Sequence, residues 1–256
     1  MLFTRTNGDI TVGQVRRAAA RLVSELSTDA PRIHVHTRSL SAFSASLIAA
    51  AVLKRPLIVL PQAGSGYLAS LGVAPDSFVS DASPDGIKVS IPSGTGDATF
   101  DVASAHSPDL VFFTSGSTGT AKEIAKPLAA IEREAEFWQT WLGGRVNHVT
   151  GSVSHQHIYG LIFRLALPVI SEMTSRDEAA LTWEAIASEF TPQTLLVSGP
   201  AHLSRLPEFP IVAATLPPVI LSSGGPLLPA DSNRAANMFG TVPTEILGST
   251  DTGGVA

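Results

Sequence analysis

The apolar run Leu110-Val111-Phe112-Phe113 gives way at once to Thr114-Ser115-Gly116-Ser117-Thr118-Gly119-Thr120, with Lys122 just beyond. An unbroken apolar run this short reads as a buried strand. The loop leaving it carries four hydroxyls besides that of Ser115, and two glycines. Glycines let backbone N–H groups turn toward an anion, hydroxyls donate hydrogen bonds, and a lysine adds mobile positive charge. Such a loop suits a phosphate chain, although a solvated Ser/Gly linker has the same composition. The buried strand before it and the helix expected soon after, from Pro127 to Leu142, favour the phosphate reading. The loop is not a Walker A motif, because Thr120 and Ala121 separate Gly119 from Lys122. It also fits neither G-x-G-x-x-G nor G-x-S-x-G.

The flanking chain alternates in the manner of a parallel α/β sheet. Thr11 caps a helix with apolar positions Val12, Val15, Ala19, Leu22, Val23 and Leu26. Ile33–His36 alternates as a strand, Ser39 opens an Ala-rich helix to Leu53, and Leu57–Leu60 is a buried strand. Gly64 to Ser107 is broken by turn residues, with short strands expected at 77–79, 87–91 and 99–102. Beyond the loop, a helix is expected over Asp177–Phe190 and strands over 194–198, 219–223 and 244–247, with a helix from Pro229 to Phe239. Trp138 and Trp141 read as core or inter-subdomain contacts, and Glu132, Arg133, Glu134 and Glu136 as a solvated helix face.

Among 256 residues, 44% are hydrophobic and 15% charged, which describes a packed globular protein. A net charge of −5 without a basic run disfavours nucleic acid as the main partner. The absence of cysteine excludes disulfides and thiolate chemistry and fits a cytoplasmic location. No stretch reaches the ~18 apolar residues of a membrane span. Two H-x-H pairs, His34/His36 and His155/His157, have metal-ligand spacing, but neither has further ligands nearby in sequence.

Thr114 to Lys122 closely resembles the signature loop of the adenylate-forming superfamily, roughly [ST]-S-G-[ST]-T-G-x-P-K, with Ala121 in place of the usual proline. That superfamily comprises acyl-CoA synthetases, aryl-CoA ligases, luciferases and peptide-synthetase adenylation domains. Three further stretches follow in the family's order. His157-Ile158-Tyr159-Gly160-Leu161 resembles the aromatic–histidine motif that shapes the acyl pocket, with Gln156 where phenylalanine is common. Gly224-Gly225-Pro226-Leu227 is similar to S-G-G-A-P-L, and Gly248-Ser249-Thr250-Asp251 to the end of Y-G-x-T-E, with Leu247 for tyrosine and Asp251 for glutamate.

The resemblance implies an α/β fold, the N-terminal part of the large domain of adenylate-forming enzymes. Stacked α/β subdomains with mostly parallel sheets are expected, spanning roughly 1–150 and 151–256. It implies ATP-dependent formation of an acyl- or aryl-adenylate, followed by ligation to CoA or an acyl carrier protein. By the same resemblance Thr114, Ser115, Gly116, Ser117, Thr118, Gly119 and Lys122 hold the triphosphate, and Gly224, Gly225 and Pro226 line the adenine. Thr250 meets the α-phosphate, Asp251 helps hold Mg²⁺, and His157 lies near the carboxylate or phosphates. Lys122, His157 and Thr250 are thus the expected catalytic groups. A further likeness, to the hydroxybenzoate-loading ligases of aryl-polyene and xanthomonadin-type pigment pathways, implies an aromatic acid. Family members continue past the fourth motif into a ribose-binding aspartate, a hinge and a C-terminal domain with a catalytic lysine. The expectation is therefore an ATP-binding fragment lacking that domain, with most turnover lost. The alternative is a non-catalytic ATP-binding or scaffold module of the same fold.

Overall fold

A computed structural model of the chain describes residues 2–5, 8–96, 98, 106–115, 121–208 and 215–254. The chain divides into two compact units, Phe3–Ile131 and Glu132–Ala256. Each is α/β, with a mostly parallel sheet.

In the first unit, helix Val12–Glu25 starts at Thr11, whose side chain accepts from the Gln14 N–H while Gln14 reciprocates. Its buried stripe, Val15, Ala18, Ala19 and Leu22, follows helical spacing. Helix Leu40–Leu53 is capped by Ser39 and is apolar nearly all round, as a helix enclosed on several sides must be. The sheet order is Ile87–Lys88, Phe78–Ser80, Ile33–His36, Leu57–Val59, Asp109–Ser115, Ala121–Pro127. All neighbours are parallel except the last pair. There the chain after the Ser/Thr/Gly loop returns as an antiparallel strand, with Thr114 opposite Lys122 and Asp109 opposite Pro127. Pro127 therefore closes a strand, and helix Leu128–Leu142 begins after it. Ile124 is buried and anchors this edge strand, and one large apolar side chain among charged ones is too little pattern for a strand to be read.

The second unit carries five parallel strands in the order Thr174–Arg176, His148–Gly151, Thr194–Ser198, Val219–Ser222, Thr244–Glu245. One face is covered by Trp183, Ile186, Phe190, Leu203 and Phe239 packed on Leu196 and Ile220. Trp138 is buried and meets Phe163 edge-on at 5.1 Å, whereas Trp141 is partly exposed beneath the Arg145 guanidinium. The helix expected over Asp177–Phe190 is reduced to Trp183–Ala187, capped by Thr182. Asp177 is fully buried as the charge partner of buried Arg164, and Leu181 is 84% exposed, so the segment does not follow a helical face. The strand Thr174–Arg176 just before it was not expected. The expected strands at 87–91 and 244–247 shorten to Ile87–Lys88 and Thr244–Glu245, and the one at 99–102 lies outside the described residues. No helix among the described residues is long and apolar enough to cross a membrane.

Candidate functional site

The carboxyl ends of the second unit's parallel strands converge on a cavity of about 350 Å³. Open parallel sheets place ligands at this edge, because the loops leaving adjacent strands splay apart there.

One wall is the turn after strand His148–Gly151. Gly151 lies so close to strand Thr194–Ser198 that an added methyl would overlap the Val197 carbonyl. The turn is closed by Ser154, whose hydroxyl donates to the Gln156 side chain at 2.7 Å and accepts from the Gln156 N–H at 3.2 Å. His157 follows at the N-cap of helix Ile158–Leu161, in extended conformation, with its side chain at the cavity. Gly160 packs directly against the Ser154 carbonyl and leaves no room for a methyl group.

The helix then widens into one π turn, Ile162–Ala166. Such turns are frequent at functional sites because the extra residue re-aims side chains. Here Tyr159, Ile162 and Phe163 face the cavity, with the Tyr159 and Phe163 rings 5.2 Å apart. Burial pushes the Tyr159 phenol well above its ordinary range, with the nearby Ser198 backbone acting in the opposite direction. Tyr159 is therefore a neutral phenol at physiological pH. From the same turn, Arg164 is fully buried and donates to the carbonyls of Val153 at 2.7 Å and Arg176 at 2.9 Å. It ties the His157 turn to the end of strand Thr174–Arg176.

The opposite wall comes from the chain after strands Val219–Ser222 and Thr244–Glu245. The Ser223 hydroxyl donates to the Ile246 carbonyl at 2.7 Å, joining the two loops. Gly224, at φ +89°, lies on the cavity, whereas Gly225 and Pro226 are exposed and lie outside its lining. The Leu227 N–H donates to Glu245 at 2.9 Å and turns the chain back into the unit. Gly248–Ser249 and Gly253–Gly254 then form a small antiparallel hairpin. Thr250 and Asp251 sit at its turn, Thr250 on the cavity wall and Asp251 exposed.

Three sequence-predicted positions from separate motifs, His157, Gly224 and Thr250, thus share one cavity. Thr114, Ser115 and Lys122 belong to the first unit, where the Thr114 hydroxyl donates to the Lys122 carbonyl at 3.5 Å and Lys122 is exposed. Gly116, Ser117, Thr118, Gly119 and Thr120 lie outside the described residues. Glu134, read from sequence as part of a solvated helix face, instead lines the cavity and accepts the Gly254 N–H at 3.0 Å. Charged residues stand on both sides of it, Glu132 and Arg133 before and Glu136 after, so no pattern sets it apart.

Among the described residues, no group of three or more His, Cys, Asp or Glu could hold a metal ion. His36 is engaged with the Leu60 carbonyl at 3.0 Å, and burial, with Arg32 adding to it, pushes the His34 imidazole below its usual range. His155 is buried while His157 is exposed. Asp251 offers one hard oxygen, which suits Mg²⁺ completed by phosphate and water, since that ion commonly takes one or two carboxylates alongside substrate phosphates. The cavity thus combines an aromatic and aliphatic floor with a rim of backbone and hydroxyl groups. It could enclose a planar or apolar acid beside a polar, phosphorylated one.

No family model matches the chain. It is 32% identical over 168 residues to a 4-coumarate–CoA ligase of Rhodobacter capsulatus, covering 61% of this chain and 41% of that protein. It is 36% identical over 101 residues to a 4-coumarate–CoA ligase of Halorhodospira halophila, covering 39% of this chain and 25% of that one. The chain thus spans less than half the length of these curated relatives. Among solved structures, ATP-bound MatB from Rhodopseudomonas palustris superposes with a TM-score of 0.74 at 14% identity, over 99% of this chain and 57% of that one. A benzoate CoA ligase from Burkholderia xenovorans superposes with a TM-score of 0.68 at 17% identity, over 97% and 57%. At these identities the superpositions speak for the fold.

Proposed function

We propose that this chain belongs to the adenylate-forming superfamily of acyl- and aryl-CoA ligases and serves the ATP-dependent activation of a carboxylic acid, a reading supported by its likeness to two 4-coumarate–CoA ligases. We read it as the N-terminal portion of the large adenylation domain. The observation that carries the proposal is the convergence of His157, Gly224 and Thr250 on one cavity at the carboxyl edge of the sheet.

In this reading an oxygen of the substrate carboxylate attacks the α-phosphorus of ATP. The bond to the bridging oxygen breaks, giving acyl-adenylate and pyrophosphate. A thiol, of CoA or of a carrier protein, then displaces AMP at the acyl carbon and releases its proton. The first step needs no protein nucleophile, only two anions held in line with their charge offset. Gly224, with Gly225 and Pro226 beyond it, offers the adenine exposed backbone. The Thr250 hydroxyl donates to the α-phosphate, and His157 orients the carboxylate. Thr114 to Gly119 and Lys122 take the β- and γ-phosphates. Asp251 would hold Mg²⁺, which supplies charge neutralisation when bound. The floor of Tyr159, Ile162 and Phe163 favours an aromatic acid, such as a hydroxybenzoate, over a small polar one.

Calorimetric titration of the chain with Mg-ATP tests this reading, alongside Lys122→Ala and Thr118→Ala. Loss of a charge-assisted contact is expected to weaken binding roughly tenfold or more for Lys122→Ala, and less for the neutral threonine. Lys122 is exposed, so its variant should melt with the wild type. Wild-type protein that is folded yet does not bind, or binding that neither substitution changes, refutes the proposal.

A further inference from the structure

We propose that Glu134 is a positioning residue, whose carboxylate fastens the hairpin Gly248–Gly254 at the cavity and so sets where Thr250 stands. The inference rests on the nucleotide reading above for its functional consequence, but its mechanical part is independent.

The hairpin has only two residues in each strand, too few to hold a fixed position by pairing alone. Its turn is closed internally: the Thr252 N–H donates to the Ser249 hydroxyl at 3.1 Å, and the Thr252 hydroxyl to the Gly253 carbonyl at 3.0 Å. Those bonds shape the turn without tying it to the sheet. The tie comes from a helix 120 residues earlier in the chain, where Glu134 accepts the Gly254 N–H at 3.0 Å. The carboxylate also lies along the bare Cα positions of the returning strand. A methyl at Gly253 would stand 2.8 Å from one carboxylate oxygen, and one at Gly254 would stand 2.7 Å from the other. Glycine at both positions is what lets the carboxylate seat flat on the strand.

Electrostatics alone would make Glu134 a liability. A carboxylate on the wall of a cavity for a polyphosphate repels it, so removing the charge should tighten binding. If Glu134 fastens the hairpin, its removal should instead weaken binding. The two effects have opposite signs, and one variant separates them.

The experiment compares the full chain with Glu134→Ala, Glu134→Gln and Gly254→Ala. The readouts are calorimetric affinity for Mg-ATP and residue-resolved amide hydrogen exchange. Glutamine keeps an acceptor oxygen for the Gly254 N–H while removing the repelling charge, so its affinity should equal or exceed the wild type's. Glu134→Ala should weaken binding roughly tenfold and speed exchange at the Gly254 amide by a similar factor, as loss of a charge-assisted bond implies. Gly254 does not have a positive φ, and the group its methyl would meet is the flexible tip of Glu134, so Gly254→Ala should displace the carboxylate and reproduce the alanine phenotype. An alanine variant that binds as tightly as the wild type or more tightly, unchanged exchange at Gly254, or exchange that rises throughout the second unit overturns the proposal. If the wild type itself binds no nucleotide, the functional reading falls, and exchange at Gly254 alone decides whether the tie exists.

Discussion

Replacing Arg164 by methionine removes a guanidinium that is completely enclosed, together with its bonds to the carbonyls of Val153 and Arg176. Burial lowers its pKa by more than two units, to about 10, with Asp177 pulling the other way. At about 1.4 kcal/mol per unit, keeping the cation inside disfavours the fold by about 3 kcal/mol, even with Asp177 present. The sign is that of a base whose folded pKa is depressed. The penalty is complete below about pH 10, and at neutral pH the group is still charged. Arg164 therefore does not earn its place through net charge pairing; it holds two carbonyls that would otherwise be buried without a donor. Substituting it alone also leaves Asp177 buried without that guanidinium, and breaking one side of a buried pair typically destabilises by about 3–5 kcal/mol. Adding Asp177→Asn removes the buried charge that has lost the Arg164 guanidinium and should return about 2 kcal/mol, while the carbonyls stay unserved. Urea denaturation of the wild type, both single variants and the double variant at pH 7 gives the coupling as a double-mutant cycle. A loss below about 1 kcal/mol for Arg164→Met, or a double variant no more stable than that single one, would refute this account of the buried pair.

Two further predictions concern stability. Gly151→Ala drives a methyl into the Val197 carbonyl of the adjoining strand, where no side chain can yield, so it should cost about 3 kcal/mol and lower the melting temperature by roughly 6 °C or more; unaltered melting would mean the two strands can separate freely. His34 and His202 both have imidazoles pushed down, chiefly by burial and secondarily by Arg32 and Arg205 respectively. In each case the unfolded chain takes up the proton first, so stability should fall as pH drops through about 6.5. Denaturant midpoints at pH 7.5 and 5.5 should converge in His34→Gln/His202→Gln, and an equally steep loss in that variant would exclude these two histidines as its source.

The elements legible in the sequence are those whose pattern is set locally. Thr11 with Gln14 and Ser39 with Ala42 define helix starts, and Leu57–Val59 and Thr194–Ser198 are apolar runs with turn residues at their ends. The motifs that contain His157, Gly224 and Thr250 were legible in the sequence, and the structure brings these three residues to one cavity. What was not legible depends on partners distant in sequence. Asp177 opened an apparent helix until Arg164 is seen opposite it. The strand Ala121–Pro127 takes its register from Asp109–Ser115, since between Lys122 and Pro127 only Ile124 is buried. Glu134 looked like its neighbours because its distinguishing contact lies at Gly254.

The antiparallel return after the Ser/Thr/Gly loop has a consequence for how an anion could be held there. In loops that open directly into a helix, the helix N-terminus contributes a fixed partial positive charge of about half a unit. Here the loop re-enters the sheet as Ala121–Pro127, and a helix begins only at Leu128. A polyphosphate on this loop would depend for long-range attraction on an exposed ammonium, that of Lys122, in a chain whose net charge is −5. Mobile ions screen exposed charges over about 8 Å at physiological ionic strength, whereas backbone dipoles in close contact are shielded far less. Capture of such a ligand would therefore weaken as salt is added, making ionic strength a control on the loop.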